Sequence, residues 1–307
     1  MKKFLSAIKY IFYSIVIFGF LALVGGVVTI INPPEKKIDK SSILYLELEG
    51  VIINGRKFLD DLRKYASNDN IKGVLIRVDS PGGVVGPSQE IYSEIKRVRE
   101  EYNKPVVVSI GAVAASGAYY ASVAADKIIT NPGSMVGSIG VIMEFANLEK
   151  LYEWAKIKRF SINTGAYKDS GAEYRSMRPD EKELFQDMIN QVHEQFKVAV
   201  AEGRNLKRDL VDQYADGRIF TGQFAVKMGF ADQVGTLTDA KRQIGEMTGL
   251  GEDPEMYKPP KKRGDIFEMF ADPEFDGRAL GTKINVELYG VPLFMIPSPV
   301  NFIRKSI

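Results

Sequence analysis

The stretch Pro105 to Tyr120, P-V-V-V-S-I-G-A-V-A-A-S-G-A-Y-Y, decides how the rest of the chain is read. Val106, Val107, Val108 and Ile110 make the continuous β-branched run expected of a strand covered on both faces. Gly111, Ala112, Ala114, Ala115, Gly117 and Ala118 then surround one hydroxyl, Ser116. From Ala118 to Ala125 the chain is alanine-rich and helix-competent. Ser116 therefore stands where a strand turns into a helix, beside the free N–H groups of a helix start. Small neighbours would let a substrate backbone approach it. The same pattern serves a packed Ala/Gly crossing with Ser116 as N-cap, and these residues alone leave both readings open.

Outward from this point the sequence alternates strand and helix patterns. Ile43–Ile53, Val74–Val78, Lys127–Thr130, Ser138–Phe145 and Arg159–Ile162 read as strands. Arg56–Ala66, Ser88–Val98, Leu148–Ala155, Pro179–Glu202, Phe220–Gly229 and Thr238–Thr248 read as helices. Such alternation implies right-handed crossovers, a mostly parallel sheet and an α/β fold with flanking helices. Residues 42–250 form the body in this reading. Ahead of it, Lys2, Lys3 and Lys9 precede an uncharged run, Tyr10 to Ile31, long enough to cross ~30 Å of hydrocarbon as a helix. Residues 1–33 are thus expected to be an uncleaved membrane anchor and 34–41 a linker, with the body on the extracytoplasmic side of the cell membrane. Residues 251–307 form a tail whose apolar clusters, Ile266–Phe270 and Leu288–Ile296, are expected to pack on the body or on a neighbouring subunit.

The chain has 307 residues and a formal net charge of +2, which leaves no basic excess for nucleic acid. It has no cysteine, so disulfides, thiolate nucleophiles and cysteine metal sites are excluded. Neither a metal nor a cofactor is expected. The one histidine, His193, lies at the edge of the stripe Phe185, Ile189, Val192, Phe196 and reads as a partly buried helix residue. A structural His193 leaves no Ser-His-Asp triad, and a serine nucleophile needs another base.

Two loops supply candidates. Asp79-Ser80-Pro81-Gly82-Gly83-Val84 follows a strand, and such a loop can aim N–H groups at an anion. The N–H groups of Gly83 and Gly117 would then form an oxyanion hole, each donor worth ~10²–10³ in rate. Lys168 stands apart from the other lysines, in N-T-G-A-Y-K-D-S-G at 163–171. Burial among these small residues would disfavour an ammonium, and a neutral lysine can take a serine proton. A solvated turn lysine fits the same residues.

D-S-P-G-G at 79–83, A-A-S-G-A-Y-Y at 114–120, G-S-I-G-V at 137–141, G-A-Y-K at 165–168 and R-I-F-T-G-Q-F-A-V-K-M-G at 218–229 follow one another in order. Together they resemble signal peptide peptidase A, a membrane-anchored serine peptidase family with the Clp-protease/crotonase fold, in its short single-repeat form. The resemblance spans Ile43 to Gly249. It implies Ser116 as nucleophile, Lys168 as general base and Gly83 as oxyanion glycine, with signal peptides and other hydrophobic peptides as substrates. It also implies a homo-oligomeric ring in which Ser116 and Lys168 meet within or between subunits. Asp79 departs from the asparagine common at that position. The related stomatin-associated membrane Ser-Lys peptidase and a crotonase-like acyl-CoA enzyme are the alternatives.

Overall fold

The computed structural model describes residues 37–260, Tyr13, residues 17–20 and the backbone of residues 293–295. Its centre is β4 (Val106–Ala115), almost wholly buried, as its run of valines and alanines requires. On one side β4 pairs in parallel with β2 (Ile71–Ser80), and β2 with β1 (Ser42–Glu49). The short β9 (Met256–Tyr257) closes that edge beside β1. On its other side β4 changes partner part-way along. Residues 107–110 lie beside β5 (Lys127–Thr130), and residues 113–115 lie beside β6 (Met135–Gly137). The sheet therefore splays at the end where Ser116 follows. β5 continues to β8 (Gln233–Val234), while β6 pairs antiparallel with β7 (Ile219–Thr221).

Alternation along the strands divides the core into two layers. Leu44, Leu46, Ile76, Val78, Val108 and Ile110 share one apolar cluster with α1 (Arg56–Ala66), α2 (Val85–Glu100), α3 (Gly117–Ser122) and α5 (Pro179–Arg204). Ile43, Tyr45, Leu75, Val107 and Ile129 face the other way, onto Ala240 and Ile244 of α8 (Leu237–Thr248). Covering both faces is what a parallel sheet needs. The remaining helices are α4 (Glu149–Trp154), α6 (Arg208–Tyr214) and α7 (Gly222–Met228). The expected α/β body is present.

Three expectations change. The strand foreseen at Ser138–Phe145 is instead β6, three residues earlier; Gly137 (φ 98°) and Ser138 (φ 52°) turn the chain out of the sheet with two successive positive φ angles. Arg159–Ile162 is irregular and exposed, because no strand lies alongside to satisfy its backbone. Phe220 belongs to β7, and the helix after it begins at Gly222. The expected anchor lies almost entirely outside the described residues, of which Tyr13 and 17–20 are helical and exposed. Among the described residues no helix is long and apolar enough to cross a membrane. The tail cluster at 266–270 lies outside them too, and of 288–296 only the strand β10 (Leu293–Met295) is described.

Tyr119 ties α3 to the core from inside. Fully buried, its hydroxyl donates to the Phe230 carbonyl at 2.8 Å, and burial pushes its pKa well above the ordinary tyrosine value. Tyr119→Phe would leave that carbonyl unpaired and should cost about 1–2 kcal/mol of stability. Urea unfolding measures this; an unchanged midpoint would mean the bond contributes nothing.

Candidate active site

Ser116 ends β4 and caps α3 with φ 52° and ψ −118°, a conformation that side-chain-bearing residues rarely hold. Strain of about 1–3 kcal/mol persists only where the surroundings impose it. Here the Ser116 N–H donates to the Gly137 carbonyl at 2.7 Å and its own carbonyl accepts the Tyr120 N–H at 2.8 Å. The residue is 1 % exposed, yet its hydroxyl makes no capping hydrogen bond to α3. The plain N-cap reading of this serine is therefore not what the structure contains. The backbone is pinned and the Oγ is left out of the helix it precedes.

The second element is β3 (Gly82–Val84), a three-residue strand against which α3 packs. It lies beside Ile52, whose N–H donates to the Gly82 carbonyl at 2.9 Å and whose carbonyl accepts the Val84 N–H at 2.8 Å. The backbones are so close that a Cβ on Gly83 would sit 2.0 Å from the Ile52 carbonyl oxygen, so only glycine fits. Since Gly82 C=O and Val84 N–H both point at Ile52, strand alternation turns the Gly83 N–H and C=O to the opposite edge. Along that edge β10 runs antiparallel, with Phe294 opposite Gly83, and it also packs against α3. An extended segment thus already lies where Gly83 offers its N–H, next to the start of α3. Gly117, the first residue of α3, supplies a leading helical N–H, a group with no acceptor within its own helix.

Lys168 is placed differently. It is exposed, in a turn of a long excursion between β6 and α5, and no hydrogen bond or ion pair joins it to another described residue, Ser116 included. Of the two readings its residues left open, the single chain shows the solvated turn lysine and not the buried one. The structure thus brings Ser116, Gly117 and Gly83 together and leaves Lys168 on the surface. The same excursion carries Leu151, Trp154, Ile157, Phe160 and Ile162, all exposed, with Ile162 at 94 %. His193 lies on α5 as a partly buried residue, as expected. Burial, reinforced by the Lys197 ammonium, holds its imidazole below the ordinary histidine range, and its Nε2 has no hydrogen-bond partner.

One neighbour went unassigned in the sequence. Ser138 follows Gly137, the acceptor of the Ser116 N–H, is nearly buried at φ 52°, and donates its N–H to the Arg218 carbonyl at 2.9 Å. Its motif G-S-I-G-V was visible; its backbone conformation was not. Among the described residues no group of His, Cys, Asp and Glu could hold a metal ion.

Residues 99–250 match the family described as Peptidase family S49. A protein of Synechocystis sp. named as a protease is 38 % identical over 221 residues, covering 72 % of this chain and 79 % of its own. A protein of Methanocaldococcus jannaschii, also named as a protease, is 37 % identical over 235 residues, 76 % of this chain and 72 % of its own. A protein of Enterococcus faecium named as a signal peptide peptidase is 35 % identical over 219 residues, 67 % of this chain and 63 % of its own.

The strain at position 116 is measurable without any substrate. Ser116→Ala keeps a Cβ at positive φ, whereas Ser116→Gly removes it, so the glycine variant should be the more stable by about 1 kcal/mol. Thermal unfolding of the two variants checks this, and the reverse order would show an unstrained backbone.

Proposed function

Since the chain belongs to peptidase family S49, the signal peptide peptidase A family, and is a serine protease of that family, we propose that it cleaves extended peptides by a Ser116–Lys168 dyad. The observation that carries this reading is Ser116 itself: a buried, backbone-strained serine whose hydroxyl caps nothing, beside a strand edge that already holds an extended segment. In this reaction the Lys168 amine takes the Ser116 proton as Oγ attacks the scissile carbonyl. The N–H groups of Gly83 and Gly117 hold the oxyanion of the tetrahedral intermediate. Lys168 then gives its proton to the leaving amine, and water, deprotonated by the same amine, releases the acyl chain from Ser116.

A peptide would add to β3 as β10 does, by backbone hydrogen bonds that read shape before sequence. That mode suits hydrophobic peptides released from membranes, signal peptides among them. The anchor pattern at residues 10–31, with its lysines on the N-terminal side, supports a membrane-bound enzyme whose body faces the extracytoplasmic side.

A second copy of this chain is the partner we propose for the excursion. Trp154, Phe160 and Ile162 are 82 %, 77 % and 94 % exposed in the single chain, and apolar groups of that size clustered on one segment favour an interface. Burial there would also give Lys168 the dry surroundings a lysine base needs. A closed head-to-tail ring, with Lys168 of one subunit serving Ser116 of the next, accounts for both facts.

Ser116→Ala and Lys168→Ala should each lose peptide cleavage by ~10⁴-fold or more. His193→Gln should keep most of it, since the histidine is structural. Mixed rings of the two inactive variants should regain part of the activity. An active Lys168→Ala would remove the dyad; proven mixed rings with no recovery would place both residues in one chain; a monomer by light scattering would remove the ring.

A further inference from the structure

The turn that carries Lys168 is held from beneath by a cluster of charges that the reaction itself does not use. Glu181, in the first turn of α5, is fully buried. Its carboxylate accepts both arms of the Arg175 guanidinium, Nη1 to Oε2 at 2.9 Å and Nη2 to Oε1 at 2.5 Å. It also accepts the Arg178 backbone N–H at 2.9 Å and forms an ion pair with that residue's Nη1 at 2.8 Å. The two arginines drive the carboxyl down to about 2, so it is ionised wherever the enzyme works.

Each arginine then reaches the other way, into the lysine turn. Arg178 Nη2 donates to the Ala166 carbonyl at 2.7 Å, and its guanidinium lies 5.9 Å from the centre of the Tyr167 ring. Arg175 Nη2 donates to the Asp169 carbonyl at 3.1 Å and meets that residue's carboxylate at 3.1 Å. The carbonyls two residues before and one residue after Lys168 are thus bound by two cations that share one buried anion. Inside the turn, the Ser170 N–H donates to the Tyr167 carbonyl at 3.2 Å and the Ala172 N–H to the Asp169 carbonyl at 3.1 Å.

We propose that Glu181, acting through Arg175 and Arg178, is the positioning residue for Lys168. The inference rests on the reading of Lys168 as general base. A lysine side chain carries about 2 kcal/mol of rotamer entropy, and its reach is useful only if its Cα is held still. The clamp fixes the main chain on both sides of that Cα and leaves the amine itself unbonded, free to meet a serine. It places the burden of positioning on backbone carbonyls, which the identity of neighbouring side chains does not alter.

The same chain contains its own control. Glu94, buried on α2, is likewise held by two arginines, Arg63 at 2.9 Å and Arg97 at 3.0 Å, on an element that does not carry Lys168. Glu181→Gln and Glu94→Gln each remove one buried carboxylate charge from between two arginines. In the full-length protein, assayed with a peptide substrate well below the melting temperatures of both variants, Glu181→Gln should lower kcat by roughly 10–100-fold with KM little changed. The rate at which a fluorophosphonate labels Ser116 should fall in parallel. Glu94→Gln should keep wild-type kcat and labelling rate. Arg178→Lys, which keeps the charge but loses the fork, should fall between. Equal loss of kcat in the Glu181 and Glu94 variants, or a Glu181→Gln enzyme with wild-type kcat and labelling, would overturn the clamp. Lys168→Ala run alongside separates the two readings. If it is active, the base and its clamp fall together; if it is inactive while Glu181→Gln is unaffected, only the clamp falls.

Discussion

The hydrogen bond from the Ser116 N–H to the Gly137 carbonyl, 2.7 Å long, is the constraint on which the site depends. It exists because β4 exchanges partners along its length, leaving β5 at Ile110 and taking up β6 at Val113. That exchange lets β6 rise beside the last residues of β4 and place a carbonyl where the serine backbone must turn. A positive φ at a residue with a side chain is unfavourable, and the fold holds it by bonding both sides of the residue. The apolar layer that takes in Ala114, Ala118 and Tyr119 packs this end of β4 too tightly to relax.

Much of this was legible in the sequence. Val106 to Ile110 could only be a buried strand, the helices at Arg56–Ala66 and Pro179 onward showed the helical period plainly, and Gly83 stood in a loop that invited backbone chemistry. What the chain does next to Ser116 was less legible, for a physical reason. The reading gave β4 only as far as Ile110, because Gly111 to Ala115 are too small to display a period, although they pair as strand through Ala115. The strand expected after Gly137 was misplaced because Ser138, an ordinary residue by composition, adopts a conformation that only tertiary bonds enforce. Local pattern cannot carry information that lives in the partner strand.

Lys168 illustrates the opposite case. Its setting among small residues left burial and a solvated turn both open, and the single chain shows the solvated turn, on the same excursion as a row of exposed apolar side chains. The two halves of the proposed dyad therefore have contrasting characters. Ser116 is locked by the core, while the lysine sits on an outlying segment whose order comes from ion pairs: Arg175 and Arg178 on Glu181, and Arg159 on Glu173. A buried carboxylate held by a bidentate pair, as Glu181 is by Arg175, contributes geometry more dependably than stability. In the proposed dyad the nucleophile would be kept rigid by packing and the base held in place by charge.

The pairing of β6 with β7 bears on the order in which this part of the fold is completed during synthesis. β6 is held on its outer side by residues 219–221, and the Ser138 N–H by the Arg218 carbonyl. A nascent chain that has emerged only as far as α5 already contains Ser116, Lys168 and both glycines, but lacks the strand that closes this edge. The bonds that hold the serine itself are then already available, and the strand that backs their acceptor strand follows later in synthesis. The order of residues along the polypeptide thus supplies the outer support of Gly137 and Ser138 after the residues that it supports.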